Sequence, residues 1–240
     1  MTSKSKLVWC RRCPRMRWKL CSIDTAAIGL SAEVLAERHR DNWLVVVEKP
    51  AGLLSQPGLG ADQQDSLITR LQQKEPDLQL VHRLDRDTSG VLLLARGKDV
   101  LRRCSALFAS RHVRKLYVAD VMGVMLGSGA IHGPLARLQC HPPRYGFHPS
   151  GRPARTRWRV QRSQLGSTRL WLVPLTGRSH QLRSHLAERG HPIVGDPIYG
   201  ARGYSRLQLH AVALAFRHPF TGQRCRFLSR NPLPCPSPQN

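Results

Sequence analysis

The amino-acid sequence predicts an α+β fold, a mixed and largely antiparallel sheet flanked by helices, and three observations carry that expectation. Its apolar runs, such as "WLVVV" (43–47) and "VLLLA" (91–95), have the length of buried strands, and none approaches the ~20 residues that cross a bilayer. Several such runs are joined by short connections of the hairpin kind, and only a few segments between them show helical spacing, so the pattern is not a doubly wound βαβ repeat. Hydrophobic residues make up 41 % of the 240 positions, enough for a sizeable core, and no linker divides the pattern between residues 41 and 230.

The elements follow in order. "NWLVVVEKP" (42–50) reads as a strand ended by its proline, and "AGLLSQPGLG" (51–60) as a loop by its glycines and prolines. "DQQDSLITRLQQKEP" (62–76) reads as a helix stopped before Pro76. "VLLLAR" (91–96) is a buried strand, and "KDVLRRCSALFASRH" (98–112) sets Val100, Leu101, Cys104, Leu107 and Phe108 at helical spacing. "RKLYVADVMG" (114–123) is again a strand. "ARTRWRVQR" (154–162) and "STRLWLVPL" (167–175) form a hairpin across "SQLG". "SHQLRSHLAERGHP" (179–192) is a short helix closed near Gly190 with Pro192 beyond it, and "LQLHAVALAF" (207–216) and "QRCRFLSR" (223–230) are further strands. The ends differ from this body: residues 1–40 read as a basic leader and residues 231–240 as a Pro-rich tail.

Charge narrows the partners. Thirty-eight Lys and Arg against 15 Asp and Glu leave +23, a surplus that points to a polyanion, nucleic acid before anionic membrane. Seven cysteines, an odd number, argue against a secreted disulfide framework and for a reducing compartment such as the cytoplasm. The basic start "MTSKSKLVWCRRCPRMRWKLCSI" fits an arm that touches nucleic acid or an organelle transit peptide equally. Cys10 and Cys13 make a C-x2-C pair with Cys21 nearby, but no fourth ligand follows at a zinc spacing, so no metal site is expected.

Familiar nucleotide and hydrolase motifs are absent. "GVMLGSGAIHG" (123–133) lacks the Gly-Lys-Ser/Thr of a phosphate loop, "GLGADQQ" (58–64) is no dinucleotide fingerprint, and no serine sits in a nucleophile elbow. His180 and His185 are five apart rather than four, so they do not form the helical pair of a zinc protease. Two stretches stand out instead. "HRLDRDTSG" (82–90) keeps two aspartates among arginines, which is either a charge-balanced turn or a carboxylate held ionised by its neighbours. "TGRSHQLRSHLAERGHPIVGDPIYG" (176–200) crowds Arg178, His180, Gln181, Arg183 and His185 at the start of a helix. That is either a solvated cap or a grip on RNA phosphates, since a helix N-terminus and guanidinium forks both favour anions.

Together these stretches resemble the two signature blocks of the RluA-type pseudouridine synthases, "HRLDRDTSGVLLLAR" and "GRSHQLRSHLAERGHPIVGDPIYG". "VVVEKPAGLLSQPG" (45–58), "RKLYVADVMG", "GRPARTRWRV" (151–160) and "LQLHAVALAFRHPFTG" (207–222) match the family in register around them, with Ser179 where threonine is usual. The resemblance implies one pseudouridine-synthase-like catalytic domain over residues 41–230, and nothing before it resembles an S4-type RNA-binding domain. It implies isomerisation of specific uridines in structured RNA, ribosomal or transfer RNA, with no cofactor, because the reaction changes neither oxidation state nor composition.

By the same resemblance Asp85 is the catalytic carboxylate, Arg178 the arginine that pairs with it, and Tyr117 the ring that stacks on the target base. Stacking of that kind contributes about 1–3 kcal/mol. Arg83, two residues from Asp85 and on the same side of an extended segment, is expected to enter the RNA and hold out the flipped nucleotide. His180, Gln181 and Arg183 are expected on the RNA, with Arg183 on a phosphate. A monomeric, cytoplasmic enzyme without membrane attachment follows. The alternatives are a non-catalytic RNA-binding or ribosome-assembly protein on the same fold, which would not need Asp85, Tyr117 and Arg178 together, and a zinc enzyme built on the N-terminal cysteines.

Overall fold

The structure, a computed structural model, describes residues 35–164, 166–200, 204–231 and 233. Cys10, Cys13, Cys21 and nearly all of the leader lie outside the described residues. Its centre is an 11-stranded sheet. The strands are β1 (Glu37–Arg40), β2 (Leu44–Lys49), β3 (Leu78–Leu80), β4 (Ser89–Arg96), β5 (Arg114–Met122) and β6 (Ser128–Gln139). β7 (Arg144–Phe147), β8 (Arg152–Gln164), β9 (Ser167–Pro174), β10 (Leu209–Arg217) and β11 (Arg224–Leu228) complete it. The order is β1-β2-β4-β10-β5-β9-β8-β6-β7, with β11 beside β10 and β3 beside β4. β10 runs parallel to β4 and every other pairing is antiparallel, the mixed, largely antiparallel sheet expected from sequence.

Three helices cover it: α1 (Leu67–Gln72), α2 (Lys98–Ala109) and α3 (Gln181–Glu188). Alternation along the strands assigns them to faces. Leu44, Val46, Leu93 and Ala95 pack with Val100 and Cys104 of α2. Their neighbours Val45, Val47, Leu92 and Leu94 turn the other way and pack with Leu67 and Ile68 of α1. Further along the sheet, Leu170 and Leu172 pack with Leu182 and Leu186 of α3. Tyr117 touches both of the latter clusters, so α1 and α3 share one face with Tyr117 between them, and α2 lies on the opposite face.

Gly90 makes the parallel junction possible. It has φ +118, and a Cβ there would lie 2.2 Å from the carbonyl oxygen of Ala211, its partner on β10. Only glycine allows both the dihedral and the approach.

Three local expectations change. Glu37–Arg40, within the leader read from sequence, pairs with β2 as edge strand β1. The helix expected over 62–75 is a 3-10 turn at Ala61–Gln63 followed by α1 alone. Ser66 sets that start: its hydroxyl accepts the Thr69 N–H, while the Thr69 hydroxyl accepts the Ser66 N–H. β6, which sequence left unassigned, is a 12-residue strand paired with both β7 and β8.

Candidate active site

The segment 82–88 is irregular, with a turn at 86–87, and its side chains differ in burial. Leu84 is buried in the core beside α1, Arg83 is exposed, and Asp85 stands at the mouth, 30 % exposed. Anchors hold the backbone on either side of Asp85. The Ser55 hydroxyl donates to the Leu84 carbonyl at 2.7 Å and accepts the Leu84 N–H at 3.2 Å. Lys49 is buried, and its ammonium donates to the carbonyls of Pro50, Leu53 and Arg86 at 2.7, 2.6 and 2.7 Å. Three donors meet three acceptors, so the end of β2 is tied to the loop just past Asp85. Burial pulls the Lys49 pKa down to about 7 against the opposing charges of Asp87 and Asp85. The Thr88 N–H closes the turn on the Asp85 carbonyl at 3.1 Å. Beyond it, Ser89 accepts from Arg206 at 2.7 Å and meets His210 Nδ1 at 2.8 Å.

The cation beside Asp85 comes from α3. Arg183 Nη1 lies 3.5 Å from Asp85 Oδ2, an ion pair longer than a short hydrogen bond. The rest of the guanidinium is committed elsewhere: Nε and Nη2 donate to the two oxygens of Asp196 at 2.7 and 2.8 Å. Arg183 is 2 % exposed and Asp196 fully buried. Burial works most strongly against the charge of Arg183, but the hydrogen bonds to Asp196 together with the charges of Asp196 and Asp85 leave its pKa above the ordinary arginine value. Asp196 also accepts the N–H groups of Ile198 and Tyr199 at 2.9 and 3.1 Å, and the guanidinium lies over the Tyr199 ring at 5.3 Å.

His180 and Tyr117 complete the mouth. His180 caps α3 with a left-handed φ of +52, a strained conformation that turns its ring toward the loop. Its Nε2 lies 4.0 Å from Asp85 Oδ2 and its Nδ1 3.2 Å from the Tyr199 hydroxyl. Burial lowers its pKa while the Asp85 charge opposes the shift. Tyr117, on β5, carries a phenol whose pKa is raised by burial and, secondarily, by Asp85. Asp85, His180 and Arg183 therefore converge, with Tyr117 on the same face of the sheet.

Arg178 does not join them. Its Nε donates to the Pro153 carbonyl at 3.2 Å, at the start of β8, because it precedes α3 and lies outside the helical turn that aims Arg183 at the loop. The contact expected of Arg178 is made by Arg183, and Arg183, expected on a phosphate, is buried in that role. Gln181 is likewise buried rather than presented to RNA. Its amide nitrogen donates to the Arg155 carbonyl and the Thr156 hydroxyl, both at 3.0 Å, and its oxygen accepts from Thr176 and the Arg178 N–H. His185 meets the same Thr156 hydroxyl at 2.9 Å. These residues seat α3 on β8.

The family model for RNA pseudouridylate synthases matches residues 43–188. The chain belongs to this family. A dual-specificity RNA pseudouridine synthase RluA of Yersinia pestis is 41 % identical over 79 % of the chain and 95 % of its own length. The enzyme of that name from Escherichia coli K12 is 40 % identical over 79 % and 90 %, and that of Vibrio cholerae 39 % identical over 82 % and 81 %. Among solved structures, human RNA pseudouridylate synthase domain containing 1 superposes with a TM-score of 0.73 at 27 % identity, covering 89 % of this chain and 92 % of its own. Human RNA pseudouridylate synthase domain containing 4 gives 0.66 at 27 % identity over 82 % and 88 %. The RluA-type membership expected from the two signature blocks holds, and the chain is an isomerase acting on uridine in RNA.

Sequence reasoning missed Asp196, Lys49 and Tyr199. "GHPIVGDPIYG" (190–200) reads as a set of turns, yet it carries the carboxylate that fixes Arg183. The available signal was scarcity: with 15 acidic residues against 38 basic ones, an aspartate flanked by Gly195 and Pro197 in an apolar stretch is a candidate for burial against arginine.

Proposed function

We propose that this pseudouridine synthase acts on uridines in ribosomal RNA and transfer RNA, with Asp85 as its catalytic carboxylate, Arg183 as the residue that holds it, and Tyr117 as the surface under the target base. The reaction breaks the bond from uracil N1 to ribose C1′, turns the base, joins C5 to C1′, and removes the C5 proton. A carboxylate serves it either as a nucleophile or by stabilising a glycosyl cation. The observation that carries the assignment is the division of Arg183: its Nε and Nη2 are fixed by buried Asp196, and its Nη1 end is left facing the partly exposed Asp85 at 3.5 Å. Asp85 thus sits near a fixed cation without being clamped by it.

The raised pKa of Tyr117 keeps its phenol protonated at neutral pH, which suits a flat apolar surface and a hydrogen-bond donor and makes a phenolate base poor. Arg83, exposed beside Asp85, is suited to entering the RNA as the nucleotide leaves the stack. The relatives' name, "dual-specificity", supports action on more than one RNA. Within the described residues Cys104, Cys140 and Cys225 are free thiols, which fits a reducing cytoplasm, and we take the working unit to be a monomer.

Asp85→Asn tests the assignment. Unmodified ribosomal RNA and tRNA transcripts incubated with wild-type protein should acquire pseudouridine, and the variant should bind them with unchanged affinity while forming none. A variant that turns over normally removes Asp85 from the chemistry. Wild-type protein that binds RNA and modifies no transcript, including total RNA from cells lacking the gene, favours the non-catalytic reading.

A further inference from the structure

Between Asp120 and Glu188 the chain holds ten arginines, no lysine and no acidic residue. Two of these arginines, Arg169 and Arg183, are buried in ion pairs with Asp120 and Asp196. Three others, Arg155, Arg157 and Arg159, follow one another at every second position of β8 and are exposed. Their guanidinium groups have no ion pair or hydrogen bond among the described residues. The register is regular through this stretch: Arg155, Arg157 and Arg159 pair with His132, Ala130 and Ser128 of β6, and Arg157 and Arg159 with Val173 and Trp171 of β9.

Their face is set by Thr156. Its buried hydroxyl meets Gln181 and His185 of α3, so Thr156 points to the α3 side and the arginines next to it point away. The α3 side is also that of Tyr117 and Asp85. The three arginines therefore form a stripe on the back of the sheet, across it from the candidate active site. The half-buried Trp171 and the exposed His132 lie beside them in register. Residues two apart on a strand are ~6.8 Å apart, a step comparable to that between successive phosphates of an extended strand.

From this arrangement we propose that the back of the β6–β8–β9 sheet is a second RNA-docking surface. It grips the phosphate backbone of RNA lying outside the segment bound at the active site, without reading its sequence. The proposal rests on RNA being the substrate. Three parallel guanidiniums with no acidic residue in the neighbouring strands match a polyanion, and their fixed spacing on one strand suits a regular backbone.

The test is the triple variant Arg155→Gln, Arg157→Gln, Arg159→Gln in the full chain. Binding is measured with a short hairpin carrying the unmodified target uridine and with the same hairpin on a long duplex stem, both across a salt series, together with single-turnover modification of the hairpin. The long RNA should bind the variant more weakly by on the order of tenfold at low salt, with the salt slope reduced by about three. Hairpin affinity and turnover should be unchanged. Equal binding of the long RNA by variant and wild type makes the stripe a solvated face and overturns the proposal. Equal weakening of both RNAs overturns it in another way, by assigning the arginines to the grip at the active site. Loss of binding to phosphatidylserine vesicles with RNA binding unchanged would assign the face to a membrane. Absence of pseudouridine with wild-type protein strikes the functional reading, and the two binding curves still decide the stripe.

Discussion

Replacing Arg183 with methionine separates two roles that one guanidinium combines. Methionine keeps much of the stem and loses the charge. Among the described residues, Asp196, fully buried, is then left with only the N–H groups of Ile198 and Tyr199. Stranding a buried charge typically costs ~3–5 kcal/mol, and the two remaining N–H bonds place this case toward the lower end, about 3. The lost partner of Asp85 matters far less for stability, since Asp85 is 30 % exposed and such pairs contribute about 1 kcal/mol at most. For the reaction the weights reverse, because a misplaced carboxylate at the reacting centre costs ~100-fold in rate. Adding Asp196→Asn removes the stranded charge and should restore most of the stability but none of the rate. Urea unfolding and single-turnover kinetics at saturating enzyme measure the two quantities on the same proteins. If the rate returns with the stability, Arg183 acts only as a strut. If Arg183→Met reacts at the wild-type rate, the pairing of Arg183 with Asp85 has no part in catalysis.

Arg178→Ala, by contrast, should leave the saturated single-turnover rate within about twofold, since the side chain reaches the Pro153 carbonyl and not Asp85; a loss comparable to that of Arg183→Met would return the arginine role to Arg178. Lys49→Met frees three carbonyls around the loop and should cost about 2–4 kcal/mol by urea unfolding and slow turnover without weakening RNA binding; an unchanged unfolding midpoint would show that the tether is idle. His82, His185 and His210 are held neutral, their pKa values lowered by burial to about 3, 4 and 4. The unfolded chain therefore takes up protons first, so stability is full above pH ~6.5 and is lost as the pH falls toward ~4, with up to about three protons bound on unfolding. Urea midpoints across that range check the sign, and His210→Gln should flatten the dependence; a midpoint that holds level or rises with acid contradicts it.

What could be read in the sequence is what local pattern determines. β2 and β4 were legible because a strand buried on both faces must be an unbroken apolar run, and α2 because its apolar residues repeat at helical spacing. β6 was not, because Gly129, Gly133 and Pro134 break any alternation. Their reason lies on other strands: a Cβ at Gly133 would press on the Phe147 ring at 2.7 Å, and one at Gly129 on the Trp158 indole at 3.0 Å. β1 is polar throughout and becomes a strand only because β2 offers an edge. The site divides in the same way. Asp85 and Tyr117 sit in motifs whose spacing is local, while the choice between Arg178 and Arg183 depends on where α3 begins and on Asp196 beyond its end.

That choice bears on the surroundings of the proposed catalytic carboxylate in a strongly basic protein. A full guanidinium fork would hold the oxygens of Asp85 in two short charge-assisted bonds and make them poor nucleophiles. Here the fork is turned on Asp196, as the fork of Arg169 is turned on Asp120 at 2.7 Å on both sides. Each buried acid absorbs the strong geometry of one arginine. Arg83 beside the loop and the stripe on β8, by contrast, are exposed. Among the described residues, the Asp85 carboxylate meets only the outer edge of Arg183 at 3.5 Å and the His180 ring at 4.0 Å. Neither contact is short enough to clamp the carboxylate. Shortening the contact with Arg183 should therefore slow the reaction even though it strengthens the ion pair, which is the opposite of what a purely structural pair would do.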